Sequence, residues 1–205
     1  ISGGIDLTRR MEQSQVYGVT VPLVTKSDGT KFGKTETGTV WISANMTSPY
    51  ALYQFWLNVA DADVYRYLKF YSFLSVNEIE EIEQSDKNSQ GRREAQGILA
   101  AEVTELLHGA TGLTAAKRIS DALFSGDIAQ LTNEDLDQLE LDGLPCTVFA
   151  GGNKGIVEVL VDTDLAKSNK MAREFIGNNA INVNGQLVDS VNFELDVSNA
   201  LNGKY

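Results

Sequence analysis

Residues 48–73 read SPYALYQFWLNVADADVYRYLKFYSF, and their pattern sets the class of the fold. Ser48 before Pro49 is a helix start: a hydroxyl that can accept from free amides, then a residue whose missing N–H costs nothing at the first helical position. The spacing predicts an aromatic-rich helix from there to about Val59 and a second from Asp61 to Phe73. Working outward, Ser75-Val76-Asn77-Glu78 is a capping box that opens a third helix. Arg92 to His108 carries Ile98, Leu99, Val103, Leu106 and Leu107 at helical spacing, with Gly109 as its stop. Leu113 to Phe124 forms another helix, ended by Ser125-Gly126, and Asn133 to Leu141 a short acidic one. The stretch 48–145 is therefore expected to be all-helical.

On either side the pattern is mixed. Upstream, residues 5–12 suit a short helix, and Gln15 to Val24 (QVYGVTVPLV) has the β-branched content of a buried strand. A Gly/Thr/Lys loop with an Asp28-Gly29 turn signal follows and closes into Val40-Trp41-Ile42. Downstream, Gly151-Gly152-Asn153-Lys154-Gly155 reads as a linker. Two short helices, Ile156 to Val161 and Ser168 to Ile176, come next. INVNGQLV (181–188) then gives strand, turn and strand, with Asn184-Gly185 as the tight hairpin turn. The fold class expected is mainly α with small β parts.

Charge narrows the function classes. The formal net charge is −11 over 205 residues, which opposes non-specific binding to polyanions. Its distribution is uneven: residues 36–150 hold seven Lys/Arg against eighteen Asp/Glu, whereas residues 1–35 hold five against three and residues 151–205 five against seven. An acidic body with near-neutral ends can still meet a polyanion through a local basic face, with strong salt sensitivity. Cys146 and His108 are the only cysteine and histidine. A zinc site built on nitrogen and sulfur is thereby disfavoured and no metal ligands are expected. An unpaired cysteine suits a reducing, cytoplasmic setting. Gln54 and Asn58 break the longest apolar run, so no membrane span is expected. The opening Ile-Ser-Gly-Gly carries no initiator Met or signal pattern, and the chain reads as an excised piece.

The sharpest chemical feature is Lys31-Phe32-Gly33-Lys34-Thr35. Two lysines three apart in a glycine-bearing loop after a strand can converge on phosphate oxygens, and Gly33 gives the loop freedom to close. The G-x-x-x-x-G-K-[ST] spacing of a P-loop is absent. By itself the string is equally a solvated loop with unrelated lysines.

Longer strings carry a resemblance. GVTVPLVTKSDGTKFGKTETGTVW (18–41) resembles the KMSKS-type loop of class I tRNA synthetases, in the KFGKT form of bacterial tyrosyl-tRNA synthetases. TSPYALYQFWLNVADADVYRYLKFYSFLS (47–75), ALFSGDI (122–128) and AKSNKMAREFIGNNAINVNG (166–185) resemble later parts of the same family, in order. The resemblance implies activation of tyrosine with ATP (and Mg²⁺) to tyrosyl-adenylate and pyrophosphate, then transfer to tRNA(Tyr), with no tightly bound cofactor. It assigns Lys31 and Lys34 to the pyrophosphate charge in the transition state, Gly33 to the hinge-like position and Thr35 to the terminal hydroxyl; Phe32 completes the loop. It also implies a homodimeric parent. The family's HIGH-type motif and tyrosine pocket lie upstream of the matching stretch, so this chain alone is expected to be inactive in activation.

The resemblance further divides the chain into the end of a catalytic domain (1–47), a helical anticodon-binding domain (48–150) and a truncated alpha-L type RNA-binding module (151–205). Asp61 matches an acidic residue that contacts the first anticodon base; Asp61 and Asp63 are equally placed to cap the helix that follows. Lys167, Lys170 and Arg173, around a helix capped by Ser168, match the module's RNA-facing side, although three such cations are ordinarily a solvated face. Tyr50, Tyr53, Phe55 and Trp56 span too much of a helix to form one stripe, which favours core packing over base stacking. His108 is expected to be a helix-end residue satisfied locally. The alternative function is a non-enzymatic RNA-binding protein that uses the C-terminal module alone; an acidic interaction scaffold is a third. The KFGKT loop discriminates, because an RNA-binding module has no need of it.

Overall fold

A computed structural model describes residues 1–32, 34–35, 38–89, 94–144, 146–149, 152–196, 198 and 200–203, with Lys34, Thr35 and Gly38 as backbone only. It separates into Ile1–Thr39 and Val40–Tyr205. In the first unit, helix α1 spans Ser2–Glu12 and ends on Gln13 in the left-handed region. Residues Gln15–Val24 do not form the expected strand. They carry no regular structure and Gln15–Leu23 are exposed, with Tyr17, Val19 and Val21 each more than four-fifths accessible. The reason is pairing: β-branched residues favour the extended backbone, but a strand needs a neighbour to take its amides, and none does so among the described residues. The segment instead approaches α1 at Gly18, where an added Cβ would meet Ile1 and Ile5 side-chain carbons at 2.8 and 2.9 Å.

The loop beyond it is ordered by short-range bonds. An isolated bridge joins Thr25 to Lys31. A two-residue strand β1 (Lys34–Thr35) pairs antiparallel with β2 (Gly38–Thr39). The return strand therefore falls at Gly38–Thr39 and not at Val40-Trp41-Ile42. There the backbone turns, and the Trp41 amide donates to Thr47 Oγ1 at 2.9 Å.

The second unit begins with helix α2 (Pro49–Leu57), capped by Ser48, whose Oγ accepts from the Ala51 amide at 3.0 Å. Helix α3 covers Asp61–Tyr71. Helix α4 (Val76–Asn88) opens with the expected capping box, both reciprocal bonds between Ser75 and Glu78 being formed. Helix α5 (Glu94–Ser125) is two helices joined across a kink at Gly109, where φ is 70° and ψ 177°. Arg92, expected as its first residue, lies outside the described residues. Helix α6 (Asn133–Leu141) starts from a second capping box, Thr132 with Asp135.

One stripe of α5 forms the spine of the core. Ala95, Leu99, Ala100 and Val103 are buried on one side of the break, and Ala116, Ile119 and Ala122 on the other, at the spacing of a helix face. Leu106 and Leu107, expected on that stripe, are instead 56% and 38% exposed; they lie in the last turn before the break at Gly109. Trp56, Tyr67 and Tyr71 meet edge-on or tilted at ring separations of 5.1 to 6.2 Å. The aromatics of α2 and α3 thus serve chiefly as core, each such pair contributing about 0.5–1.5 kcal/mol beyond its burial.

The backbone at Gly109 lies where a side chain is strained whatever the space, and an added Cβ would meet nothing within 4 Å. Gly109→Ala is therefore expected to destabilise by about 1–3 kcal/mol through backbone strain alone. Urea unfolding checks this, and an unchanged midpoint would show that the break is soft.

The C-terminal part packs its own core of Ile156, Leu160, Ala166, Ala172, Ile176 and Val188. Strand β3 (Lys154–Gly155), helix α7 (Ile156–Asp162), helix α8 (Asn169–Gly177), the hairpin β4 (Asn182–Val183) with β5 (Gln186–Leu187), and β6 (Glu194–Leu195) follow in order. Asn184 and Gly185 both have positive φ, 50° and 79°, the conformation a two-residue hairpin turn demands. Within the expected linker, Gly151 lies outside the described residues, and Lys154–Gly155 is a strand paired with β6. That pairing depends on residues some forty positions away and leaves no local trace. No helix among the described residues is long and apolar enough to cross a membrane.

Candidate nucleotide loop and nucleic-acid interface

The turn before the lysines is built on Asp28. Its Oδ1 accepts from the Thr30 amide at 2.8 Å and from the Thr30 hydroxyl at 2.6 Å. Those bonds, the hydroxyl first, hold the carboxyl below its ordinary value. Gly29, at φ 83°, closes the turn with its amide on the Lys26 carbonyl at 3.0 Å. The Lys26 amide reaches the Thr30 carbonyl at 2.8 Å and the Phe32 amide the Val24 carbonyl at 3.2 Å. A ribbon bridged at Thr25 and Lys31 thus precedes β1, and exposed Lys31 stands at its exit. The Lys34–Thr35 backbone is strand β1. Gly33 and the Lys34 and Thr35 side chains lie outside the described residues, so convergence of the two lysines rests on their spacing.

Asp61 is the first residue of α3, and the residue in the cap position is Ala60, which has no side chain to cap with. The expected capping by Asp61 or Asp63 does not occur. Asp63, 3% exposed, pairs with Arg66 at 2.8 Å. Asp61 Oδ1 accepts from Gln96 Nε2 at 2.7 Å. Asp63 thus takes a donor from its own helix, whereas tertiary packing brings Asp61 the Gln96 amide in place of the helix amides. Gln96 carries no motif signal. In the sequence it is one polar residue beside Ala95, and only its burial at 2% exposure marks it.

Nearby, Tyr65 donates to Asp86 Oδ2 at 3.0 Å, and the Ala95 amide donates to the same oxygen at 3.2 Å. Burial first, then Asp86's bond and charge, push the Tyr65 phenol up to about 12. His108 differs from expectation. Its Nε2 is enclosed without a hydrogen-bond partner among the described residues, and burial pushes the imidazole down. Loss of hydration without a replacement partner disfavours the cation.

On α8, Ser168 caps the helix by accepting from the Met171 amide at 3.2 Å. Ala172 and Ile176 turn inward. Lys170 and Arg173, three apart, share an outer face, and Lys167 precedes the cap; all three are exposed. None of the three forms an ion pair among the described residues. The cations therefore stand together with the positive end of a helix dipole, an arrangement that can meet phosphates. Leu165, two residues before Lys167, is 61% exposed.

Residues 1–125 match the family model "tRNA synthetases class I (W and Y)", and residues 135–205 match "Tyrosine--tRNA ligase SYY-like C-terminal domain". Over all 205 residues the chain is 62% identical to a tyrosine–tRNA ligase of Aliivibrio fischeri (strain MJ11). It is 60% identical to that of Aliivibrio salmonicida (strain LFI1238) and 53% identical to that of Chromobacterium violaceum. In each case it covers 48% of the relative, so the chain spans about half the length of the curated relatives it matches. With more than half of its residues inside one family model, the chain belongs to the class I tRNA synthetases of the W and Y family.

Proposed function

We propose that this chain is part of a tyrosine–tRNA ligase that activates tyrosine with ATP and transfers it to tRNA(Tyr). The observation that carries the reading is an identity of 62% over a match that spans all 205 residues. Residues 1–47 supply the KFGKT loop at the edge of the catalytic domain, 48–150 the anticodon-binding helices and 151–205 the alpha-L type module. Lys31 and Lys34 neutralise charge on the departing pyrophosphate, and a cation placed where charge develops acts on the transition state more than on the ground state. Gly33 lets the loop close, Phe32 completes it, and Thr35 offers the terminal hydroxyl. ATP arrives as substrate with its Mg²⁺. No ligand for that ion is assigned to this chain. Tyrosine selection is assigned to the remaining length of a ligase, as is the homodimer contact, and the working compartment is the cytoplasm.

Asp61 accepts from the edge of the first anticodon base, and Lys167, Lys170 and Arg173 meet tRNA phosphates. A non-enzymatic RNA-binding protein leaves the Lys31–Thr35 loop without a role. Filter binding of the chain to tyrosine tRNA tests the RNA half of the proposal. Affinity is expected to fall linearly with salt on logarithmic axes. The double change Lys170→Glu with Arg173→Glu is expected to weaken binding at least tenfold, and the salt slope to drop by about 0.7–0.9 for each lost phosphate contact. Equal affinity before and after the change would remove α8 from the interface.

A further inference from the structure

We infer that Gln96 is a positioning residue for Asp61, holding its carboxylate in the orientation that separates guanine from adenine at the base it meets; this rests on the reading of Asp61 proposed above. The Gln96 side chain is 2% exposed, at the start of α5. A buried primary amide is unfavourable unless its hydrogens are used. Those of Gln96 are directed at a single short segment: Nε2 lies 2.7 Å from Asp61 Oδ1 and 3.4 Å from the Val59 carbonyl oxygen. One amide therefore ties α5 to the chain on both sides of Ala60.

The local rules of helix starts are broken at the same place. Ala60 occupies the cap position and no side chain caps α3, although Asp61 and Asp63 are adjacent. Natural sequences depart from such rules mainly where a site demands it. Here the departure leaves Asp61 bonded to Gln96 and not to the helix amides, exposed at the positive end of a helix dipole, where the anion is favoured. An ionised carboxylate only accepts hydrogen bonds, and its two oxygens have room for several donors. The Watson–Crick edge of guanine offers two adjacent donors, N1–H and N2–H. Adenine offers one donor beside the N1 acceptor, which would face a carboxylate oxygen. An exposed aspartate left to rotate would adjust to either base, whereas one anchored at Oδ1 meets two donors well and a donor–acceptor pair badly. Gln96 thus sets discrimination more than overall affinity, because the ordering of the side chain is completed on folding and not on binding.

The test measures affinity of the chain for two tyrosine tRNA transcripts that differ only in G or A at the first anticodon position. Gln96→Met matches the size of the side chain and removes the donor. The variant is expected to melt cooperatively, to bind the A transcript as before and to lose about tenfold of the preference for G, the lower end of what a paired base contact supplies. Asp61→Asn is expected to lose a similar factor, and the double variant no more than either alone. Preference retained in Gln96→Met but lost in Asp61→Asn overturns the inference and leaves the Asp61 reading standing. Preference retained in Asp61→Asn overturns both. Should Gln96→Met not melt cooperatively, Asp61→Glu decides the matter: it keeps the charge on an exposed side chain but moves the carboxylate away from the Gln96 donor. Loss of the preference there supports the inference, and retention overturns it.

Discussion

Lys34→Ala, in a protein of the relatives' full length that carries this sequence, is expected to slow formation of tyrosyl-adenylate by about 10²–10³-fold, the usual effect of deleting one group aimed at developing transition-state charge. The affinity for tyrosine should change little. Pyrophosphate gains charge as its bond to the α-phosphorus breaks, so a lysine placed to meet it contributes most after binding is complete. Lysine suits the task as a compact cation on a long stem, and arginine at the same position would demand a fork geometry that a moving leaving group does not offer. Lys31→Ala should slow the same step, and the double change should cost less than the product of the two, since both act on one charge. Stopped-flow measurement of adenylate formation decides this, and an unaffected rate would sink the assignment. The same substitution should leave tRNA binding by the present chain unaltered, because the proposed RNA contacts lie on α3 and α8.

The second large effect concerns stability. Asp135 is fully buried, and Arg118 donates to it from Nε at 2.7 Å and from a terminal nitrogen at 2.8 Å. Asp135 also accepts from the Thr132 amide at 2.9 Å, so one carboxylate joins α5 to the start of α6. Burial is the largest single influence on its acidity and acts upward, but the bonds from Arg118 and Thr132 and the guanidinium charge together bring it below the usual carboxylate value. The pair therefore contributes stability that is present above the unfolded carboxylate value, near 3.8, and is lost as pH falls from there through the folded value.

Arg118→Met removes the guanidinium while keeping most of the stem. The variant should be about 3 kcal/mol less stable at neutral pH, the lower end for breaking a buried pair. The lower end applies because Arg118 itself retains 36% exposure. With the cation gone, burial dominates and raises Asp135 above its unfolded value. The deficit relative to the parent should then shrink on acidification as the carboxyl takes up a proton. Urea unfolding at pH 7 and pH 4 measures both halves. A deficit that is constant with pH would mean that the loss comes from packing of the arginine stem.

Much of the second unit was legible because its signals are local. Ser48-Pro49, the Ser75–Glu78 box, Gly109 and Asn184-Gly185 each act within four residues, and all behave as expected. The misreadings fell where a distant partner decides. Gln15–Val24 has strand composition but no strand beside it among the described residues. Lys154–Gly155 has linker composition yet is held by Glu194–Leu195. The candidate site divides in the same way. The KFGKT string and the cations of α8 are readable as residues in a row, whereas Gln96 is invisible until α5 is laid against α3.

By itself, then, the sequence determined the mainly helical class, the positions of the helix starts and stops, the family and the lysines of the loop. Caps, turns and motif spacings are short-range properties written in consecutive residues. Only the tertiary structure decided what Asp61 bonds to, which face of α5 is core, and that Asp135 and Arg118 form a buried pair. Each of those outcomes is a competition between a local partner and a remote one. The remote partner wins when burial removes water as the alternative, because a polar group without water must take the donor that packing brings.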